Sequence, residues 1–156
     1  MAAPTLHANH LFTMSLTVDS IMTDIGETPY GRRRIAAVTG GSFTGEEIKG
    51  TVLPAPGGDW LLLRRDGILM LDVRLTLKTN DNQLIYMSYR GMRHGPAWVI
   101  EALNKGEKVD PSQYYFRSTP YFETASEKYR FLNRIVCVAT GRRDPTGPVY
   151  EVFHIL

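Results

Sequence analysis

Cysteine is almost absent from this 156-residue chain, which contains Cys137 alone. A single thiol can form neither an internal disulfide nor the thiolate cluster of a structural zinc site. The four histidines show no paired spacing such as His-Glu-x-x-His, so no metal site is expected. Long apolar runs are also missing: stretches such as Ile68–Leu71 are far below the roughly 20 residues that cross a bilayer as a helix.

An excess of one charge is lacking as well. Eighteen Lys and Arg face sixteen Asp and Glu, which leaves a formal net charge of +2 at pH 7. A net charge this small does not create the positive electrostatic field that a dedicated nucleic-acid-binding surface requires. The first residues carry no Lys or Arg ahead of an apolar block, so they do not resemble a signal peptide. We therefore expect a cytoplasmic protein that binds neither nucleic acid nor membrane.

Glycine and proline are frequent, and they fall between short apolar stretches, a rhythm typical of all-β domains. The clearest strand is predicted over residues 68–78, where Leu and Val occupy every second position. About ten strands, mostly joined by tight turns, predict an antiparallel sheet in a single domain over residues 11–156, after a flexible N-terminus of residues 1–10. Little helix is available to cover the sheet, which leaves a sandwich or a closed barrel, and we favour the barrel.

Two segments break the strand pattern and are predicted as short helices on connections. The insert of residues 91–112 contains Pro96 followed by Ala-Trp-Val-Ile-Glu-Ala-Leu, with apolar residues four apart and Gly106 behind them. Thr124-Ala-Ser-Glu127 has the spacing of a capping box, which opens the second helix. The glycine pair Gly40-Gly41 is predicted to turn the chain between two strands; strands on both sides make it a bulge or barrel corner rather than a phosphate loop. No cofactor motif is recognised.

Several short motifs follow one another in a fixed order: Thr28-Pro-x-Gly31-x-Arg33, Gly40-Gly41-x-Phe43-x-Gly45, Gly57-Gly58-Asp59-Trp60, Leu71-Asp72-Val73-Arg74, and Tyr115-Phe116-Arg117 with Phe122-Glu123. In this order and spacing the chain resembles the DUF3237 family, also called UPF0311, from about residue 11 to the C-terminus. The resemblance implies a compact antiparallel β-barrel. It implies little about activity, because most of the family lacks an assigned reaction.

Asp72 and Arg74 stand two apart on one face of the 68–78 strand, opposite the alternating leucines. If that face lines a barrel interior, both are costly to bury unless they are paired or bound to a ligand. Arg74 would then orient an anion or carbonyl, with Asp72 as its positioner or as a general base. The alternative is an exposed ion pair of little consequence for stability.

Other candidates lie on neighbouring predicted strands. Tyr86 would deliver a proton, and Arg117 with Tyr115 would bind the substrate oxyanion. Asp59 and Trp60 follow a Gly-Gly turn at the expected mouth of the barrel. Asp59 is a candidate base, although an Asp at a turn also bonds its own loop amides, and Trp60 is a candidate rim residue.

Three functions remain open from the sequence. The first is a small cofactor-independent lyase, hydratase or isomerase that acts by acid/base chemistry on a carbonyl-bearing aromatic or polyketide-like molecule inside the barrel. The second is a lipocalin-like carrier that binds a small molecule without converting it. The third is an interaction module, which requires a barrel filled by side chains. A homodimer is compatible with all three.

Overall fold

The structure, a computed structural model, describes all 156 residues. Ten strands make up most of the ordered elements, with one α-helix and two short 3₁₀ turns between them. The strands are β1 Ala8–Val18, β2 Thr23–Thr28, β3 Gly31–Thr44, β4 Lys49–Val52, β5 Gly58–Leu63, β6 Leu69–Thr79, β7 Leu84–His94, β8 Tyr115–Glu123, β9 Cys137–Asp144 and β10 Gly147–Ile155. The helix α1 spans Ala97–Asn104, and the 3₁₀ turns span Pro111–Gln113 and Arg130–Arg134.

The sheet closes on itself as an antiparallel barrel, which confirms the predicted fold class. Its strand order is β1-β10-β9-β8-β7-β6-β4-β3, and a further pairing of β1 with β3 completes the ring. β4 and β5 share one place in that ring, because both lie between β3 and β6. β2 pairs only with β3 and lies outside the closed ring. Closure leaves a single enclosed face, so the residues of one parity along each strand share one interior.

One half of that interior is packed solid with large apolar side chains. Phe12 lies against the rings of Phe43 and Phe122, with centroids 5.3 and 5.8 Å away. Leu75 and Leu77 of β6 are almost fully buried beside them in the same core. Burying such side chains contributes about 1.5–3 kcal/mol each, so this half of the barrel is its main source of stability.

The glycine pair Gly40-Gly41 does not turn the chain, so the predicted end of a strand at that point is wrong. β3 runs through both glycines as one strand of 14 residues. Both have φ near +150°, and a Cβ on Gly41 would stand 2.2 Å from the carbonyl oxygen of Ser15 on β1. The glycines allow β3 to bend and press against β1, which is the barrel-corner role that the sequence also indicated.

The two connections form as one helix and one shorter turn. α1 confirms the helix predicted in the 91–112 insert, with Val99 and Leu103 buried against the barrel. The second segment does not become a helix at Thr124, whose hydroxyl accepts from Ser126 N rather than from Glu127 and donates to the backbone of β7. Helical turns begin only at Arg130, as a 3₁₀ turn of five residues.

The ends of the chain lie next to each other. Strand pairing begins at Ala8, opposite Ile155, and Leu156 N donates to the carbonyl of His7 at 2.9 Å. The flexibility expected for residues 1–10 stays a prediction for residues 1–7, which precede β1. The one α-helix has eight residues, and no helix is long and apolar enough to span a membrane.

Candidate functional site

The other half of the barrel is hollow and contains a partly open cavity of about 500 Å³. From β6 the cavity is lined by Leu69, Leu71 and Val73, whereas Leu75 and Leu77 belong to the packed half. The floor of the cavity therefore lies at the level of Val73. This arrangement argues against the interaction module, which requires an interior filled by side chains.

The cavity wall is mainly apolar and drawn from most of the barrel. Of its 23 lining residues 15 are hydrophobic, a composition typical of small-molecule sites. Ile100 and Leu103 place α1 in that wall, so the insert helix encloses one side of the cavity. A small molecule with an apolar body would find complementary surface here.

Asp59 is the carboxyl group in this wall. β5 directs Asp59, Leu61 and Leu63 inward at alternate positions. One carboxylate oxygen of Asp59 accepts a hydrogen bond from the backbone N–H of Asp72 at 3.0 Å. Burial raises the pKa of Asp59 from 3.8 to about 7, and the nearby charge of Asp72 adds to this effect, while the Asp72 amide and Arg93 oppose it. A carboxyl group with this pKa can exchange protons at neutral pH, as a general base requires.

Two buried tyrosines lie in the same wall. The rings of Tyr89 on β7 and Tyr150 on β10 meet edge to face with centroids 5.1 Å apart. The hydroxyl of Tyr89 is buried and has the hydroxyl of Tyr150 as its polar neighbour. Burial raises the pKa of both tyrosines, so both are protonated near neutrality and can donate.

Four arginines line the wall, Arg32 and Arg34 of β3 together with Arg93 and Arg143. Arg93 lies on the same face of β7 as Tyr89, and Arg143 comes from β9. Neither forms an ion pair, and Nε of Arg93 is buried without a hydrogen-bond partner. Burial and the neighbouring Arg143 lower the pKa of Arg93. The cavity thus combines a carboxyl group, two phenols and four guanidinium groups with a mainly apolar wall.

Asp72, Arg74 and Trp60 lie outside this cavity. The leucines of β6 take the interior because burying them is favourable, whereas an unpaired charge inside is costly. Asp72 faces the exposed Arg90 at 3.9 Å, and the guanidinium of Arg74 lies over the Trp60 ring at 5.7 Å. The expectation that this face of β6 points inward is therefore wrong. Roles of these residues on the outer surface stay predictions.

Tyr86, Tyr115 and Arg117 are also on the outer face. Tyr86 is 41% exposed, and Tyr115 is 44% exposed with Arg117 5.2 Å from its ring. Their inward neighbours in sequence are apolar except for the buried Ser118, so the same parity argument applies to β7 and β8. Among the residues predicted from sequence, the cavity contains Asp59 alone. The others lie on the outer faces of their strands, outside the cavity.

The functional residues that the sequence reasoning missed carry a recognisable signal. Tyr89 and Arg93 share the parity of Ile85 and Met87, which are buried. An arginine in phase with a buried apolar alternation indicates a charge that points inward. Tyr150 has the same relation to Val152 on β10.

The fold and the cavity define a class of small antiparallel β-barrel with an internal polar site. The family described as "Protein of unknown function (DUF3237)" matches residues 6–155, and the chain belongs to this family. The UPF0311 protein blr7842 of Bradyrhizobium diazoefficiens is 36% identical over 153 residues, which cover 98% of this chain and 99% of that protein. The predicted family membership is confirmed.

Solved structures share the barrel. A beta-barrel-like protein from Acinetobacter baumannii is 35% identical, with a TM-score of 0.85 and 99% of each chain covered. An enzyme from Penicillium herquei matches with a TM-score of 0.74 at 20% identity, over 100% of this chain and 99% of that one. At that identity the likeness concerns the fold alone.

Proposed function

We propose that this protein is a cofactor-independent acid/base enzyme, a lyase, hydratase or isomerase, that acts on a carbonyl-bearing aromatic small molecule in the cavity. The observation that carries the proposal is Asp59, a carboxyl group buried in the wall of a mainly apolar cavity, where burial raises its pKa to about 7. The barrel also occurs in a Penicillium herquei protein described as an enzyme, so the fold is compatible with catalysis.

The chemistry follows from the groups that face the cavity. Ionised Asp59 accepts a proton from the carbon next to the carbonyl, and the electrons of that C–H bond move into an enolate. Arg93 stabilises the oxyanion that develops, because a guanidinium in a water-poor site interacts strongly with negative charge. Tyr89, which is protonated, donates a hydrogen bond to the oxyanion or returns a proton to it. Proton return to a different atom isomerises the substrate, and expulsion of a leaving group makes the step a lyase reaction.

Exchange of carbon-bound protons tests this proposal directly. Phenylpyruvate carries an aromatic ring, a carbonyl and acidic C–H bonds, and its exchange in D₂O can be followed by proton NMR. We expect exchange above the buffer rate, increasing with pH and reaching a plateau above a midpoint near 7, because only ionised Asp59 accepts a proton. A rate no higher than in buffer at every pH contradicts the enzymatic proposal.

The apolar wall favours a second candidate, the lipocalin-like carrier. Fifteen of the 23 lining residues are hydrophobic, which is sufficient to bind a small molecule without chemistry. Calorimetric titration with phenylpyruvate separates the two functions. Saturable binding without catalysed exchange indicates the carrier, and binding with exchange indicates the enzyme.

A further inference from the structure

The charges that face the cavity are unbalanced. Its wall contains four arginines and one carboxyl group, Asp59. Arg32 is compensated by Asp24 and Glu27 of β2. Arg93 and Arg143 have no acidic partner, and Asp59 forms an ion pair with neither of them. The cavity wall therefore carries an excess of positive charge.

Arg93 is the arginine with the clearest unmet need for hydrogen-bond acceptors. A guanidinium carries five N–H donors and no acceptor, so it needs several acceptor atoms when it leaves water. Nε of Arg93 is buried with no acceptor, and the side chain lies close enough to Arg143 for their charges to repel. A buried cation without an ion-pair partner costs free energy, and the one acidic group whose charge acts on Arg93 is Asp59, which forms no ion pair with it. An anion from outside would satisfy both arginines.

The residues around Arg93 indicate the chemical character of the uncharged part of that anion. Across the sheet Arg93 pairs with Leu69 on β6 and with Phe116 on β8, and both side chains line the cavity. The Phe116 ring also meets Tyr150 edge to face at 5.4 Å. An anionic head at the arginines would thus be followed by an apolar, flat body. An inorganic ion would leave this wall without a partner.

We infer that the molecule bound here is an apolar organic carboxylic acid, whose carboxylate is held by Arg93 and Arg143 while its body lies against Phe116 and Leu69. The planar carboxylate matches the fork of a guanidinium, and such charge-assisted hydrogen bonds are the strong ones. The inference rests on the proposed function for the location of the substrate and adds its chemical class.

The test compares cinnamate with its neutral analogue cinnamamide by isothermal titration calorimetry. At about pH 6 cinnamate is ionised while Asp59 is mostly protonated. We expect cinnamate to bind about tenfold more tightly than cinnamamide, or better, and Arg93→Gln to remove that preference. Arg90→Gln is the matched control, because Arg90 lies on the same strand but is 80% exposed on the outer face. It should retain the preference.

Each outcome supports or overturns the inference. Equal binding of the two probes overturns it, as does no detectable binding of cinnamate, or a preference that persists in Arg93→Gln. If Arg93→Gln does not fold, as judged by circular dichroism, Arg143→Gln must show the loss instead. Failure of the proposed function is distinguishable: a carrier would still prefer cinnamate without catalysing exchange of phenylpyruvate protons, whereas an enzyme for neutral substrates would catalyse exchange without the preference.

Discussion

Replacing Asp59 with Asn is expected to lower the rate of phenylpyruvate proton exchange by about 10²- to 10⁴-fold, the usual contribution of a positioned general base. The side-chain amide oxygen that Asp59→Asn introduces can still accept the hydrogen bond that Asp59 accepts from the N–H of Asp72. The substitution therefore removes the proton acceptor but retains the local structure. The rate should be measured by proton NMR at a pH above 7, where the wild-type carboxyl group is ionised.

A second variant, Asp72→Asn, serves as the control for this prediction. Asp72→Asn removes a carboxyl group that lies 13 residues away in sequence but on the outer face of the barrel. If Asp72→Asn abolishes exchange and Asp59→Asn does not, the reaction belongs to the outer surface and the cavity assignment is contradicted. Calorimetry with cinnamate provides the control for binding, which Asp59→Asn should leave in place.

Truncating two leucines of β6 is expected to give very different losses of stability. Leu77→Ala removes a side chain with no exposed surface from the packed half, which should lower the free energy of unfolding by about 2–5 kcal/mol. Leu71→Ala removes the same atoms beside an existing cavity. It loses fewer contacts and opens no new void between packed side chains, so we expect about half that loss.

Urea denaturation measures both losses. Lys78→Ala is the control, since Lys78 is exposed on the outer face of the same strand and its replacement should change the free energy of unfolding by no more than about 0.5 kcal/mol. Equal losses for Leu71→Ala and Leu77→Ala would mean that the barrel is as tightly packed at one end as at the other. The cavity would then be too small to hold a substrate.

Much of the fold could be predicted from the sequence because the alternation of apolar residues along a strand is a local signal. The unbroken alternation from Leu69 to Leu77 predicts a strand with one buried face, and the order of the glycine motifs indicates the family. The continuous course of β3 through Gly40-Gly41 could not be predicted from the sequence. Whether a glycine pair turns a chain or bends a strand depends on the neighbouring strand, here β1, which approaches too closely for a side chain at Gly41.

The site could be predicted from the sequence only in part. Asp59 could be named because it follows a Gly-Gly turn. Asp72 and Arg74 belong to a cavity site only if their face of β6 points inward, and the apolar residues Leu71, Val73 and Leu75 at the alternate positions take the interior instead. The same parity argument, applied to β7, would have pointed to Arg93. The cavity itself depends on how far side chains from many strands reach across the barrel, which no single strand pattern reveals.

The proposed function depends on a carboxyl group in the hollow half of the barrel that exchanges protons at neutral pH. A carbon-13 NMR titration of the side-chain carboxyl of Asp59 measures this directly, with Asp59→Asn to assign the resonance. We expect a midpoint near 7, because burial in the cavity disfavours the ionised form. A midpoint at about 4, the value of a carboxyl group in water, would contradict it.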